Sequence, residues 1–258
     1  MNKGAIGIFD SGIGGLSIYN EIKSLLINES TIYIADNYNA PYGKKNEDQI
    51  IDFSIKITKK LIEKGSKIIV VACNTATTNA ISILRKEFNI PIVGVEPPVK
   101  PALLKTKTKN IGILATEKTL SSQLFQKTSD EFSNGIKIHE KIGFDLVDII
   151  EKKGIKESLL IPILEDYISE MIKNNIDYLV LGCTHYYYLI PILKKILPEN
   201  IIILDSSKAI AKRTAYLLKH HNIQSEQKKP VNKFYYTGSS QIITKFIFDK
   251  KNITRLSI

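Results

Sequence analysis

Apolar and polar positions alternate along this chain in blocks of two kinds. Short β-branched runs read as buried strands, and between them apolar residues recur at the three- and four-residue spacing of a helix face. "AIGIFD" is a strand and "GGLSIYNEIKSLL" an amphipathic helix. "STIYIAD" precedes "NEDQIIDFSIKITKKLIEKG", a helical stretch that stops at Gly65. "KIIVVAC" is followed by "TATTNAISILRKEF", and "IPIVGVE" ends at Pro97 and Pro98. This order predicts βαβαβαβ, a parallel sheet covered by helices.

The second part of the chain repeats the plan. "NIGILAT" echoes "AIGIFDS", its Ile-Gly-Ile displaced by 105 positions. "IKIHE" takes the place of "TIYIA", and "NIIILDS" that of "IPIVGVE". "DYLVLGCTH" answers "SKIIVVACNT", with Cys183 lying 110 positions after Cys73. One such pair would be weak, because strands and helices alternate in many proteins. Four pairs in order predict an α/β fold of two pseudo-symmetric domains, each a mainly parallel sheet flanked by helices. About fifty residues after Asp205 have no counterpart in the repeat.

The repeat gives the cysteines a place. In open parallel sheets, sites form beyond the carboxyl ends of the strands. Cys73 and Cys183 are predicted at that end of equivalent strands, one per half. If the halves face each other, the thiols converge across an interdomain cleft. An isolated cysteine is more often a small buried core residue. Two at matched positions, each followed by amide or hydroxyl side chains, favour a site.

Composition narrows the partners. The chain has 258 residues, 43% hydrophobic and 24% charged, enough for one large domain or two modest ones with real cores. No apolar run near Cys73 could span a bilayer, and "MNKGAIGIFDSGIGG" reaches an aspartate and a glycine cluster before a signal-type segment forms. The reading is a cytoplasmic protein that does not enter a membrane. Two cysteines make neither a disulfide framework nor a Cys-rich zinc site, so no metal is expected. The net charge of +10 raises nucleic acid as a partner. Only three of the 36 basic residues are arginines, and the lysines are dispersed. Such charge is usually a solvated face and argues against nucleic-acid binding.

Two opposed thiols suit proton transfer. One group removes a Cα proton from one face of a substrate and the other donates to the opposite face. A thiol of ordinary pKa about 8.5 can serve either role after modest tuning. His185, two residues after Cys183, could hold or exchange a proton, or simply start a helix. The first strand runs into "FDSGIGGLS", whose glycines predict a tight turn where backbone approaches a ligand. The motif is neither a Walker loop nor Gly-x-Gly-x-x-Gly. Asp10 there would repel phosphate and welcome an ammonium group or orient an acid–base residue; alternatively Asp10 or Ser11 caps the helix. "NAPYGKKN" reads as a Pro-Tyr-Gly turn. Asn74, Thr75 and Thr184 offer short polar groups and helix-start amides for a carboxylate, or are N-caps.

With "GIFDSGIGGLS", "APYG", "ACNTAT", "GVEPPVKPA" and "LGCTHY" in this order through both halves, the chain resembles the cofactor-independent glutamate racemases of the aspartate/glutamate racemase superfamily. The resemblance implies racemisation of L- and D-glutamate without cofactor or metal, supplying D-glutamate to peptidoglycan. It implies Cys73 and Cys183 as the acid–base pair, Cys73 deprotonating D-glutamate and Cys183 L-glutamate, with Asp10 and His185 assisting. Asp10, Ser11, Tyr42, Gly43, Asn74, Thr75, Thr184 and His185 would line the substrate, and Thr116 and Thr119 fit the family's polar loop in the second half. Glu151 of "VDIIEKKG" matches the family's acidic residue near the second cysteine, although Gly143-Phe144 and Asp148 stand where the family has Cys-Pro and proline. The family's chain enters its second domain and later returns, which implies domains of residues 1–97 plus 209–258 and of 98–208. The family forms dimers of differing arrangement, so a homodimer is allowed.

Three other classes stay open at this level. Aspartate racemase or a related superfamily isomerase would share the same motifs. A nucleotide- or flavin-binding module uses the same kind of sheet. A basic nucleic-acid binder would show strongly salt-dependent association.

Overall fold

The computed structural model of the chain describes residues 4–241, 243–247 and 252–257. It divides into two compact units, Met1–Val95 with Ser206–Ile258, and Glu96–Asp205. The first unit opens with β1 (Ala5–Asp10), α1 (Leu16–Leu25), β2 (Thr31–Ala35), a 3-10 turn (Tyr42–Lys44), α2 (Glu47–Glu63), β3 (Ser66–Val71), α3 (Asn74–Glu87) and β4 (Ile92–Gly94). The second holds α4 (Val99–Lys105), β5 (Asn110–Ala115), α5 (Glu117–Leu120), α6 (Gln123–Phe132), β6 (Lys137–Ile142), α7 (Leu146–Lys153), α8 (Glu157–Lys173), β7 (Tyr178–Gly182), a 3-10 stretch (Thr184–Leu189), α9 (Ile190–Ile196) and β8 (Ile202–Leu204). The chain then adds α10 (Ser207–His220), β9 (Asn232–Tyr236), α11 (Ile243–Phe246) and β10 (Ile253–Arg255) to the first unit.

Local chemistry explains the elements. Every residue of β1, β2 and β3 is buried, which is why these strands read as unbroken apolar runs: helices cover both faces of a parallel sheet. α2 begins with a capping box, the Gln49 amide donating to Asn46 Oδ1 (2.8 Å) and the Asn46 amide to Gln49 Oε1 (3.2 Å). It buries Ile50, Ser54, Ile57, Thr58 and Leu61 on one face, each isoleucine or leucine adding about 1.5–3 kcal/mol of burial. The helix ends where predicted: Gly65 has φ +88°, a conformation that L side chains rarely adopt.

The repeat appears as topology. The first sheet has the order β10-β9-β2-β1-β3-β4 and the second β6-β5-β7-β8, all pairs parallel. Four strands of the first sheet therefore match the whole of the second. The Ile-Gly-Ile runs serve one purpose in both: Gly7 pairs with Ile69 and Gly112 with Leu179. A Cβ at either glycine would strike the side chain of its partner among others. The sheets differ at one edge. β2 is covered by β9 and is wholly buried, whereas β6, "KIHEKI", is a half-exposed edge strand carrying two lysines, a composition that discourages further strand pairing.

In the second unit α4, β5, β7 and α6 enclose a core of Val99, Leu103, Ile111, Ile113, Phe125 and Val180. In the first, the returning chain is tied down by Glu29, whose Oε1 accepts the Ser225 amide at 2.7 Å. Glu29 Oε2 also lies 2.6 Å from Lys67 Nζ, both side chains being buried. Among the described residues no helix is long and apolar enough to cross a membrane.

Candidate active site

In the first unit the predicted residues gather where β1 and β3 end. Phe9 pairs with Val71, so Asp10 and Ser11 leave the sheet beside Ala72 and Cys73. Asp10 is fully buried, and its Oδ2 accepts the Gly12 amide at 2.9 Å. The carboxylate thus shapes the glycine turn. Neither Asp10 nor Ser11 caps the next helix: the N-cap of α1 is Gly15, without a side-chain cap. The crowding at Gly15 comes from the protein itself. A Cβ there would lie 2.8–2.9 Å from Asp10 Cβ, Ala72 Cβ and Tyr33 Oη, and the Tyr33 hydroxyl donates to the Gly12 carbonyl at 2.9 Å.

Cys73 is itself the N-cap of α3. Its sulfur accepts the Ala76 amide at 3.5 Å, and its thiol donates to Ser11 Oγ at 3.8 Å. Asn74 and Thr75 therefore fall inside the first turn and are not caps. Asn74 Nδ2 donates to the Val95 carbonyl (3.4 Å), and the Thr75 carbonyl accepts Asn79 Nδ2 (2.7 Å). A sulfur facing the start of a 14-residue helix sits where backbone amides and the helix dipole favour negative charge.

The Pro-Tyr-Gly segment is the 3-10 turn Tyr42–Lys44, which contains Gly43 and packs on α3. Tyr42 is buried against Phe53, ring centroids 5.6 Å apart, and its hydroxyl donates to Asp36 Oδ2 at 2.7 Å. Burial, followed by the charge and hydrogen bond of Asp36 and the nearby Cys73 and Asp10, holds its phenol well above the usual tyrosine range. Asp36 was not singled out from the sequence. Its only signal was a carboxylate ending a buried strand, in "IYIAD".

The second unit repeats the strand-end geometry with different neighbours. Ala115 pairs with Gly182, so Thr116 leaves the sheet beside Cys183, as Ser11 does beside Cys73. Thr116 and Thr119 are buried and share a hydroxyl–hydroxyl hydrogen bond of 2.9 Å. Cys183 lies at the end of β7, ahead of the 3-10 stretch that Thr184 and His185 begin, and has no cap bond of its own. Its sulfur is 3.9 Å from His185 Nδ1, and His185 Nε2 is 2.6 Å from Glu151 Oε1 on α7. The imidazole is almost wholly buried between the two. A proton on Nε2 directed at the carboxylate leaves the Nδ1 lone pair toward the sulfur.

Gly143 explains part of the departure from the family pattern. A Cβ at that position would fall on Tyr186 Oη, and the Tyr186 hydroxyl donates to the Gly143 carbonyl at 3.1 Å. Tyr186 is fully buried; that burial first, then the charge of Cys183 and Tyr167, pushes its phenol well above the ordinary range. Among the described residues no group of three or more His, Cys, Asp or Glu could hold a metal ion.

Comparisons with known proteins point one way. The family model described as Asp/Glu/Hydantoin racemase matches residues 6–214. The chain is 36% identical over 242 residues to the glutamate racemase of Ectopseudomonas mendocina (strain ymp), an alignment spanning 93% of this chain and 92% of the relative. Escherichia coli glutamate racemase, solved in complex with L-glutamate and the activator UDP-MurNAc-ala, superposes with a TM-score of 0.85 at 32% identity over 98% of both chains. The glutamate racemase of Francisella tularensis subsp. tularensis SCHU S4, solved with D-glutamate, gives a TM-score of 0.87 at 28% identity, covering 100% of this chain and 98% of the other.

Proposed function

The chain belongs to the Asp/Glu/hydantoin racemase family, and from that premise we propose that it interconverts L- and D-glutamate by moving the Cα proton between Cys73 and Cys183. The observation that carries this reading is the matched position of the two thiols, each directly beyond the carboxyl end of the equivalent strand in its own unit. Glutamate is the substrate bound to two of the similar structures, once as each enantiomer. Acting in the cytoplasm, it would supply D-glutamate for peptidoglycan synthesis.

The reaction balances without a cofactor. A cysteine thiolate takes the Cα proton, breaking the C–H bond and forming S–H. The electron pair left on Cα is stabilised by the adjacent carboxylate and ammonium groups. The second cysteine gives its proton to the opposite face and becomes the thiolate. Cys73 acts on D-glutamate and Cys183 on L-glutamate. Ser11 and the Ala76 amide steady the first sulfur; His185, held by Glu151, takes up or returns the proton of the second. Asp10 assists the acid–base pair, and Asp10, Ser11, Tyr42, Gly43, Asn74 and Thr75 from one unit, with Thr116, Thr119, Thr184 and His185 from the other, bind the substrate's charged ends.

The test is solvent exchange. Purified protein in deuterated water, with no added cofactor, is expected to place deuterium at Cα of both glutamate enantiomers. Exchange that persists in a Cys73→Ala, Cys183→Ala double variant would sink the two-thiol mechanism. Faster turnover of aspartate than of glutamate in the same assay would favour the related aspartate racemase.

A further inference from the structure

The loop after β2 carries a carboxylate that the mechanism above does not use. Asp36 is 1% exposed, and four side-chain contacts from three residues converge on it. Tyr42 Oη donates to Oδ2 (2.7 Å), Asn39 Nδ2 lies 3.1 and 2.9 Å from Oδ1 and Oδ2, and Thr237 Oγ1 donates to Oδ1 (2.7 Å). Its backbone amide donates to the carbonyl of Asp10 at 2.9 Å. One residue thus bridges the turn that carries Tyr42 and the strand end that carries Asp10.

Thr237 comes from the far end of the sequence. β9 pairs with β2 in parallel, Ala35 opposite Tyr236, so both strands deliver their next residues to the same edge. There the two loops interlock. The Thr237 hydroxyl also accepts the Tyr38 amide (3.0 Å), Asn37 Oδ1 accepts the Gly238 amide (2.8 Å), and Asn37 Nδ2 donates to the Ser239 carbonyl (2.6 Å). A Cβ at Gly238 would meet Tyr38 N and the Asn37 backbone at 2.9–3.1 Å. The lock needs this close approach.

We infer that Asp36, oriented by Thr237 and Asn39, is a positioning residue that fixes Tyr42 and its 3-10 turn beside the Cys73 helix start. This rests on the reading of Tyr42 and Gly43 as substrate-binding groups. Its physical content is directional. A buried carboxylate accepts hydrogen bonds and gives none, so the Tyr42 hydroxyl must aim its proton at Asp36 and present its lone pairs elsewhere. The turn is then set in place before substrate arrives, which is what preorganised binding requires. The fifty residues without a counterpart in the repeat acquire a role: they bring the hydroxyl that completes the lock.

The experiment is a cycle of Asp36→Asn, Tyr42→Phe and their combination, with Thr237→Val as a milder variant that keeps the carboxylate should Asp36→Asn fail to fold. Losing a charge-assisted hydrogen bond predicts a rise in KM for glutamate of about tenfold for Asp36→Asn, with kcat changed less than about threefold. Thr237→Val should raise KM by roughly threefold on the same grounds. In the Tyr42→Phe background, Asp36→Asn should add less than about twofold, because its effect runs through that hydroxyl. A full tenfold effect there, or lost thermal stability with KM unmoved in both variants, would overturn the inference.

A second arm does not depend on turnover. In a Cys183→Ser background, alkylation of Cys73 by iodoacetamide should accelerate about fivefold on Asp36→Asn, as the loosened turn opens locally. A rate within about twofold of the parent overturns the inference on the same reasoning. Wild-type protein that fails to racemise glutamate would defeat the proposed function, and the alkylation arm would still decide this one.

Discussion

Cys73 and Cys183 stand at equivalent strand ends, yet their surroundings are of different kinds. Cys73 has a backbone amide at the start of a 14-residue helix and the Ser11 hydroxyl within reach of its sulfur, with the Asp10 carboxylate at the neighbouring strand end. Cys183 faces a 3-10 stretch and an imidazole, itself held by a carboxylate on a separate helix. The first setting steadies a charge on the sulfur through an amide and a hydroxyl. The second contains a group that can take a proton or return it. The matched strand orders give the two thiols the same scaffold, and their neighbours differ. In the proposed reaction each turnover leaves the proton on the other thiol, and His185 offers the Cys183 side a group through which it can be reset.

The comparison breaks most visibly if the cysteines are removed one at a time. Each single Cys→Ala variant should lose at least about 10³-fold in racemisation, the usual scale of an acid–base group. Exchange should survive on one side only. Cys73→Ala should still wash solvent deuterium into L-glutamate through Cys183, with retention. Cys183→Ala should do so with D-glutamate through Cys73. NMR of each enantiomer in deuterated water checks this; the opposite pairing would mean that the faces have been assigned the wrong way round.

Glu151 sharpens the contrast with a smaller effect. It touches His185 rather than sulfur. Glu151→Gln should therefore slow Cys183-dependent exchange of L-glutamate about 10- to 100-fold, the cost typical of removing an orienting partner. Cys73-dependent exchange of D-glutamate, read in the Cys183→Ala background, should stay within about twofold, since the cluster lies in the other unit. Steady-state kcat/KM cannot show this asymmetry. The equilibrium constant between enantiomers is one, so both directions must fall together. Equal slowing of the two exchange reactions would show that Glu151 acts on the fold at large.

How much of this could be read beforehand differs between the units for physical reasons. The central strands β1, β3, β5 and β7 were legible because burial on both faces leaves an apolar run, and because the Gly7 and Gly112 positions recur at a fixed offset. The thiols followed from that register. β9 left no such mark: its residues pair with a strand some two hundred positions earlier, and no local pattern records a partner that distant. Asp36 and Thr237 were missed for the same cause, as was Cys73 serving as its own helix cap. The His185–Glu151 pair entered only through resemblance, because 34 residues of sequence hide a 2.6 Å contact. Gly143 shows how a departure from a family pattern can be compensated locally, by a tyrosine hydroxyl that occupies the space a side chain would take.

The smallest expected effect tests what the two units share. Each buries a tyrosine whose phenol feels the charge of its cysteine, Tyr42 and Tyr186, and burial is the first cause of the raised phenol pKa in both. In the unfolded chain a tyrosine ionises near pH 10. Above that pH the unfolded state holds fewer protons than the folded one, so stability must fall as pH rises. The contribution is complete below about pH 10 and is lost as pH climbs through the higher folded-state values, each tyrosine giving a slope of at most about 1.4 kcal/mol per pH unit. Lysines titrate in the same range, so the useful quantity is a difference. Urea midpoints measured between pH 8 and 11 should decline less steeply for Tyr186→Phe and for Tyr42→Phe than for the parent. Each variant should also carry a pH-independent offset of about 1 kcal/mol for its lost hydrogen bond, somewhat more for Tyr42 because its acceptor is a carboxylate. Slopes that match the parent in both variants would mean that the phenols are not shielded as their burial implies. A flattened slope in one alone would show that the likeness between the two clusters ends at the strand ends.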